Sequence, residues 1–143
     1  MGTGENIIAE ARTWIGTPYH PGGRVKKAGA DCATLIAEVC IALGLIPNIE
    51  IPRESAAHFL ETENPLYLET VQQYCGEITE ADLQPGDLVM YRHRKLPIFT
   101  HAAIVVQWPE AVLHAVQHRG VIMSHGIQGV FRSWERKYFR LKN

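Results

Sequence analysis

Cys32 directly follows Asp31 and opens the segment ADCATLIAEVCIALG, residues 30–44. Leu35, Ile36, Val39, Cys40 and Leu43 recur at three- and four-residue steps, the apolar stripe of an amphipathic helix, and Cys32 lies on the same stripe. Asp31 stands where it can cap the first turn, Gly44 suits the position just past the end, and Pro47 follows. The spacing therefore predicts a cysteine in the first turn of a core-facing helix. There the backbone N–H groups and the positive helix end favour a thiolate over a thiol. A lone cysteine is more often a small buried hydrophobe, and Cys40, two turns along, takes that reading. Two histidines downstream change the weighing for Cys32.

His101 stands near the start of an apolar strand pattern, FTHAAIVVQW (99–108), and His114 lies within a second, AVLHAV (111–116). A two-residue turn at Trp108-Pro109 would set residue 116 opposite His101, and one at Pro109-Glu110 would set residue 118 there. In both registers His114 is an even number of places away and shares a face with His101; in the first the two are diagonal neighbours. An odd-length turn would separate them unless a bulge intervened. If that face meets the inward face of the Cys32 helix, a nucleophile, a base and an orienting group converge. His101 would take the thiol proton and return it to a leaving amine, and His114 would fix its tautomer. The backbone N–H of Cys32 would face the oxyanion, with Tyr19 adding a hydroxyl. The competing reading is a pair of structural histidines.

The elements that must position these groups follow in order. Residues 4–14 read as a short helix with Ile7, Ile8, Ala11 and, at its end, Trp14 inward. GTPYHPGGRVKKAGAD (16–31) is a Gly- and Pro-rich loop whose Lys26 and Lys27 form a solvated face. IPNIEIP (46–52) is an extended link. RESAAHFLETE (53–63), carrying His58, and PLYLETVQQYC (65–75) read as two short helices, and Cys75 shows no partner. At LQPGDLVMYRH (83–93) the period changes. A Pro-Gly turn precedes a strand from Leu88 to Tyr91, then come the two histidine strands, GVIMSH (120–125), and KYFRLK (137–142) as a closing edge strand. Helices first and neighbouring strands after argue for an α+β fold, N-terminal helices packed on a central antiparallel sheet.

The length of 143 residues suits one domain spanning 1–143. A chain of this size buries about 68–70% of its unfolded surface, enough for a core without staples. The formal net charge of -1 gives no basic footprint, so no nucleic-acid partner is expected. Three cysteines cannot all pair and do not follow a zinc pattern, so they read as reduced thiols. MGTGENIIAEARTW carries an early acidic residue and no long apolar run, and reads as neither secretory signal nor membrane anchor. The expectation is synthesis in the cytoplasm and no membrane insertion, and action outside the cytoplasm would need some other route of delivery.

Taken together, GTPY, DC at a helix start, LQPGDLV, THAAIVV, VLHA and GV resemble the NlpC family of cell-wall cysteine peptidases, a papain-like group. The match runs from about Trp14 to about Met123. The resemblance implies a papain-like NlpC fold and no cofactor. It makes Cys32 the nucleophile, His101 the base and His114 the third polar residue, with Tyr19 near the oxyanion or the substrate amine. The family commonly has Ser then Gly after the cysteine, and that Ser, with the Asp (here Asp31) and the Tyr, holds the free amine of a peptide stem. Here Ala33 and Thr34 stand there. The region from GTPYHPGGRVKKAGADC to the helix looks most like the short, single-domain versions of the family found with phage tails and gene-transfer particles, which makes phage tail proteins candidate partners. Asp87 reads as a turn residue.

The function expected is hydrolysis of amide bonds in peptidoglycan stem peptides, those involving γ-linked D-glutamate, by a phage- or prophage-associated enzyme. One alternative is a non-enzymatic tail assembly component. Another is a Cys-His acyltransferase or amidase on a related fold. His114 and His118 have helical metal-ligand spacing, with His125 and His20 recruitable, but no third ligand completes a motif, so no metal is expected. Trp108 reads as turn packing, and Arg24, Lys26 and Arg53 as surface charge.

Overall fold

In the computed structural model, residues 2–51 and 66–142 are described. The N-terminal helix α1 is Thr3–Arg12, starting one residue earlier and ending two residues earlier than its periodicity suggests, with Ile7 and Ala11 buried. The following segment, expected as a loop, contains a two-residue hairpin: β1, Arg24–Val25, pairs antiparallel with β2, Gly29–Ala30. Tyr19 forms a single bridge with Ala30 at its side.

Helix α2 is Cys32–Ala42. Its start is a capping box: Asp31 accepts from the Ala33 and Thr34 backbone N–H groups, and Thr34 Oγ1 accepts from Asp31 N–H at 2.9 Å. Its end is a Schellman turn. Gly44, at φ +71°, donates to Ile41 O and Leu45 donates to Cys40 O. Both ends fall where the sequence puts them. Helix α3, Leu66–Tyr74, follows. The helix expected over residues 53–63, with Arg53 and His58, lies outside the described residues.

Six antiparallel strands form the main sheet: β3 (Cys75–Ile78), β4 (Leu88–Arg92), β5 (His101–Gln107), β6 (Ala111–Val116), β7 (Gly120–Ser124) and β8 (Glu135–Leu141). Their order is β3-β8-β4-β5-β6-β7. This is the expected α+β arrangement with two corrections. Strand β8 is not an edge: it pairs with β3 on one side and β4 on the other. Its polar sequence hid this, because only Phe139 is buried and its charged side chains find partners, as when Arg140 reaches Asp87. The true edge, β3, was missed because CGEI is short and carries glycine, which weakens strand propensity.

The sheet buries both faces unequally. Against one face pack Ile7, Ala11, Trp14, Leu35 and Val39 of the N-terminal half, meeting Leu88, Met90, Ile104, Leu113, Val121 and Phe139. The other face holds Val89, Tyr91, Ala103, Val105 and Val112, covered by Phe131 from a 3-10 segment, Gly129–Ser133. Phe131 stacks on Tyr91 at 3.9 Å between centroids, and the Tyr91 hydroxyl donates to Gly126 O. At the Pro-Gly turn, Gly86 has φ +95° and lies against Gly4, where a side chain on either would overlap backbone. Asp87 is more than a turn residue: it is buried, takes both Nε and Nη2 of Arg140, and accepts from Gln84 N–H.

The β5–β6 hairpin decides where the histidines go. Its tip holds three residues, Trp108 to Glu110, because Gln107 pairs with Ala111. That odd count alone would send His101 and His114 to opposite faces. A bulge between Val105 and Gln107 inserts one residue, and beyond it Val105 pairs with Val112 and Ile104 with Leu113. Continued to the strand start, this register sets Val116 opposite His101 and makes His114 its diagonal neighbour, the first of the two arrangements expected.

Candidate active site

Cys32, His101 and His114 all line one cleft of about 670 Å³, with Tyr19 and Asp31 on its wall. Convergence is reached by a different route from the one the sequence suggested. The histidines lie on the Phe131 face of the sheet, not on the face that α2 packs against. The groups meet instead at the end of the sheet. Cys32 sits at the N-terminus of α2, its thiol 3.8 Å from the carbonyl oxygen of Thr100, the residue just ahead of β5. His101 is the first residue of that strand.

His101 Nε2 lies 2.8 Å from His114 Nδ1, with the rings edge-on. His114 Nε2 lies 2.7 Å from Ser124 Oγ on β7. The array thus runs His101, His114, Ser124 across three adjacent strands. Phe131 is near-parallel to the His101 ring at 5.7 Å, and Trp134 meets it edge-on at 6.4 Å. This apolar packing disfavours positive charge on the rings. Burial, and then the neighbouring His114, push His101 down to about 3. Burial, and then the Arg119 charge, push His114 down to about 4. Both rings are therefore neutral at pH 7, and His101 keeps one nitrogen lone pair that can accept a proton.

Tyr19 is half-buried, and its hydroxyl is held above its ordinary pKa by burial, then by Cys32 and Asp31. Asp31 has a heavier structural duty than capping alone. Its second carboxylate oxygen accepts from Gly22 N–H at 2.7 Å, tying the 16–31 loop to the start of α2. Its oxygens thus meet three backbone donors. Cys40 is packed core, held up to about 11 by burial, and Cys75 up to about 12. His118 sits in a turn at φ 70°, so it shares no helix with His114. Trp108 donates to Glu80 and packs on Gly126. Arg24 lines the cleft wall but is engaged by Glu38 and the Ile49 carbonyl. Among the described residues no three His, Cys, Asp or Glu side chains cluster as metal ligands.

Sequence reasoning missed Ser124, Phe131 and Trp134. Ser124 was within reach of the same parity argument: His114 pairs with Ile122, so Ser124 is diagonal to it as His114 is to His101. Phe131 and Trp134 gave no signal, since both come from an irregular segment.

Comparison with known proteins adds several likenesses. The NlpC/P60 family model matches residues 16–141. A Haemophilus influenzae protein described as a probable endopeptidase is 30% identical over 129 residues, covering 85% of this chain and 68% of its own. The NlpC/p60 domain of the peptidoglycan hydrolase SagA superposes with a TM-score of 0.64 at 20% identity, over 95% of this chain and 97% of that one. RipD of Mycobacterium tuberculosis, described as a non-catalytic NlpC/p60 domain protein adapted to peptidoglycan binding, gives 0.60 at 14% identity over 98% of both chains. In several other matched structures this chain spans only 39–47% of the longer partner. At such identities the structural likeness carries the fold alone.

Proposed function

The chain belongs to the NlpC/P60 family, and from that premise we propose that it is a cysteine peptidase hydrolysing amide bonds in peptidoglycan stem peptides, those involving γ-linked D-glutamate. The observation that carries the reading is the cleft shared by Cys32 at a helix N-terminus and the His101–His114 pair. In the proposed reaction Cys32 Sγ attacks the scissile carbonyl. His101 Nδ1, the ring nitrogen not engaged with His114, takes the thiol proton and gives it to the leaving amine. His114 holds the His101 ring and its tautomer. The Cys32 backbone N–H and the Tyr19 hydroxyl stabilise the oxyanion, and water then cleaves the thioester with His101 again as base.

Digestion of purified muropeptides, followed by mass spectrometry, tests this. Wild-type protein should release stem-peptide fragments and Cys32→Ser should release none. Retention on insoluble peptidoglycan with no cleavage by folded wild type would make the chain a binding protein instead. Delivery is proposed to be by a phage or prophage particle, supported by the resemblance of the region leading into α2 to the short phage-tail form of the family. Proteomic analysis of purified particles that finds no such chain would refute that part.

A further inference from the structure

We propose that Ser124 is a fourth member of the array, a positioning residue whose hydroxyl decides which nitrogen of His101 is left to take the thiol proton. The inference rests on the assignment of Cys32 and His101 made above.

Each of the two short contacts, His101 Nε2 to His114 Nδ1 and His114 Nε2 to Ser124 Oγ, accommodates one proton. With neutral rings, two arrangements satisfy both. In the first, His101 Nε2–H donates to His114 Nδ1, and His114 Nε2–H donates to the serine oxygen. His101 Nδ1 then carries a lone pair. In the second, the serine hydroxyl donates to His114 Nε2, and His114 Nδ1–H donates to His101 Nε2. His101 Nδ1 then carries a proton and cannot accept one from the thiol. Only the first arrangement lets His101 become doubly protonated without moving any other proton. A serine hydroxyl can donate or accept, and in the proposed array Ser124 accepts from His114 Nε2–H and so holds the first arrangement. His114 is 3% exposed, so an Nε2–H without an acceptor there is costly.

Among the described residues, the titratable and charged groups that line the cleft with the two histidines are Tyr19 and Asp31 from the loop before α2, Cys32 from its first turn, Arg24 and Glu50, and the Arg119 charge acts on His114 from the β6–β7 turn. The group within hydrogen-bond distance of His114 Nε2 is the Ser124 hydroxyl, at 2.7 Å.

Two nearly isosteric variants isolate the hydroxyl: Ser124→Thr keeps it and Ser124→Val removes it while filling the space against water. The readout needs no substrate. Alkylation of Cys32 by iodoacetamide, followed by peptide mapping across pH, reports how well His101 takes the thiol proton. Ser124→Val should slow it about tenfold near neutral pH, the lower end of the loss seen when a histidine bound to a metal loses its orienting partner, and Ser124→Thr should retain the wild-type rate. Histidine 15N spectra should find the proton of wild-type His114 on Nε2.

Slow alkylation in His101→Ala but wild-type alkylation in Ser124→Val would overturn the Ser124 role and leave the base standing. No change in His101→Ala would remove the base assignment and this inference with it. Equal slowing in the Thr and Val variants, or a wild-type His114 proton on Nδ1, would also overturn it. Circular dichroism on each variant separates these outcomes from misfolding.

Discussion

Acidification from pH 7 to pH 5 should cost this fold about 4 kcal/mol, and two histidines should account for it. His101 and His114 are held at about 3 and about 4 in the folded chain, against 6.5 for an ordinary histidine. A histidine whose folded pKa is depressed binds its proton more readily in the unfolded chain. Stability therefore rises with pH across this window and is lost as pH falls below 6.5 toward the folded values. At pH 5 both folded rings are still neutral, so the loss depends on the unfolded value alone. That is about 1.4 kcal/mol per pH unit over 1.5 units, or roughly 2 kcal/mol for each ring. Ordinary carboxylates titrate near 3.9–4.3, below the window. Urea unfolding at the two pH values measures the difference, provided the m-value stays constant. His114→Gln keeps a polar amide between His101 and Ser124 but removes one titration, so its loss should fall to about 2 kcal/mol. The reasoning fails if wild type loses less than about 1 kcal/mol, or if the glutamine variant loses as much as wild type.

Other outcomes follow from the same geometry. Cys32 should be the first thiol labelled by iodoacetamide at neutral pH, with Cys40 and Cys75 lagging because burial holds them at about 11 and about 12; mapping either of them first would contradict this. Asp31→Ala should cost about 2–3 kcal/mol, since it removes a helix cap and the acceptor of Gly22 N–H. Asp31→Asn should recover the cap but not the Gly22 bond, and equal unfolding midpoints for the two variants would refute the division. On muropeptides, His101→Ala should leave almost no turnover, His114→Ala more, and His114→Asn or His114→Gln more still. The double variant should match His101→Ala alone. Wild-type turnover in His114→Ala would reduce that residue to a strand position.

What the sequence made legible was local. The α2 segment carries its own start and stop, because Asp31, Gly44 and the apolar spacing act within a few residues of one another. Strands β4 to β7 were legible for the same reason, as was the shared face of His101 and His114. The bulge that makes this sharing possible was not, because nothing in IVVQW marks Val106 as an extra residue. Nor was the face itself: apolar residues fill both sides of β5, so the pattern could not say which side meets α2. The Cys32 site therefore forms at the end of the sheet, where Thr100 meets the helix start, and not across its surface. The hairpin β1–β2 escaped because two-residue strands have no period to detect. Phe131 and Trp134 reach the cleft through tertiary folding of an irregular segment, which leaves no pattern at all.

The bulge at Val106 has a consequence for how this hairpin can vary. A strand offers a side chain only two phases, and the hairpin contains two odd increments, three residues at its tip and one in the bulge, that cancel. Surface loops ordinarily drift in length by any number of residues. This one cannot. Deleting or adding a single residue among Trp108, Pro109 and Glu110 would swing His114 to the helix side and put a hydrophobic neighbour beside His101. Adding two, or deleting one together with Val106, would leave the pair in step. Length at this tip is quantised, and its quantum is set by the geometry of the cleft some distance down the strand.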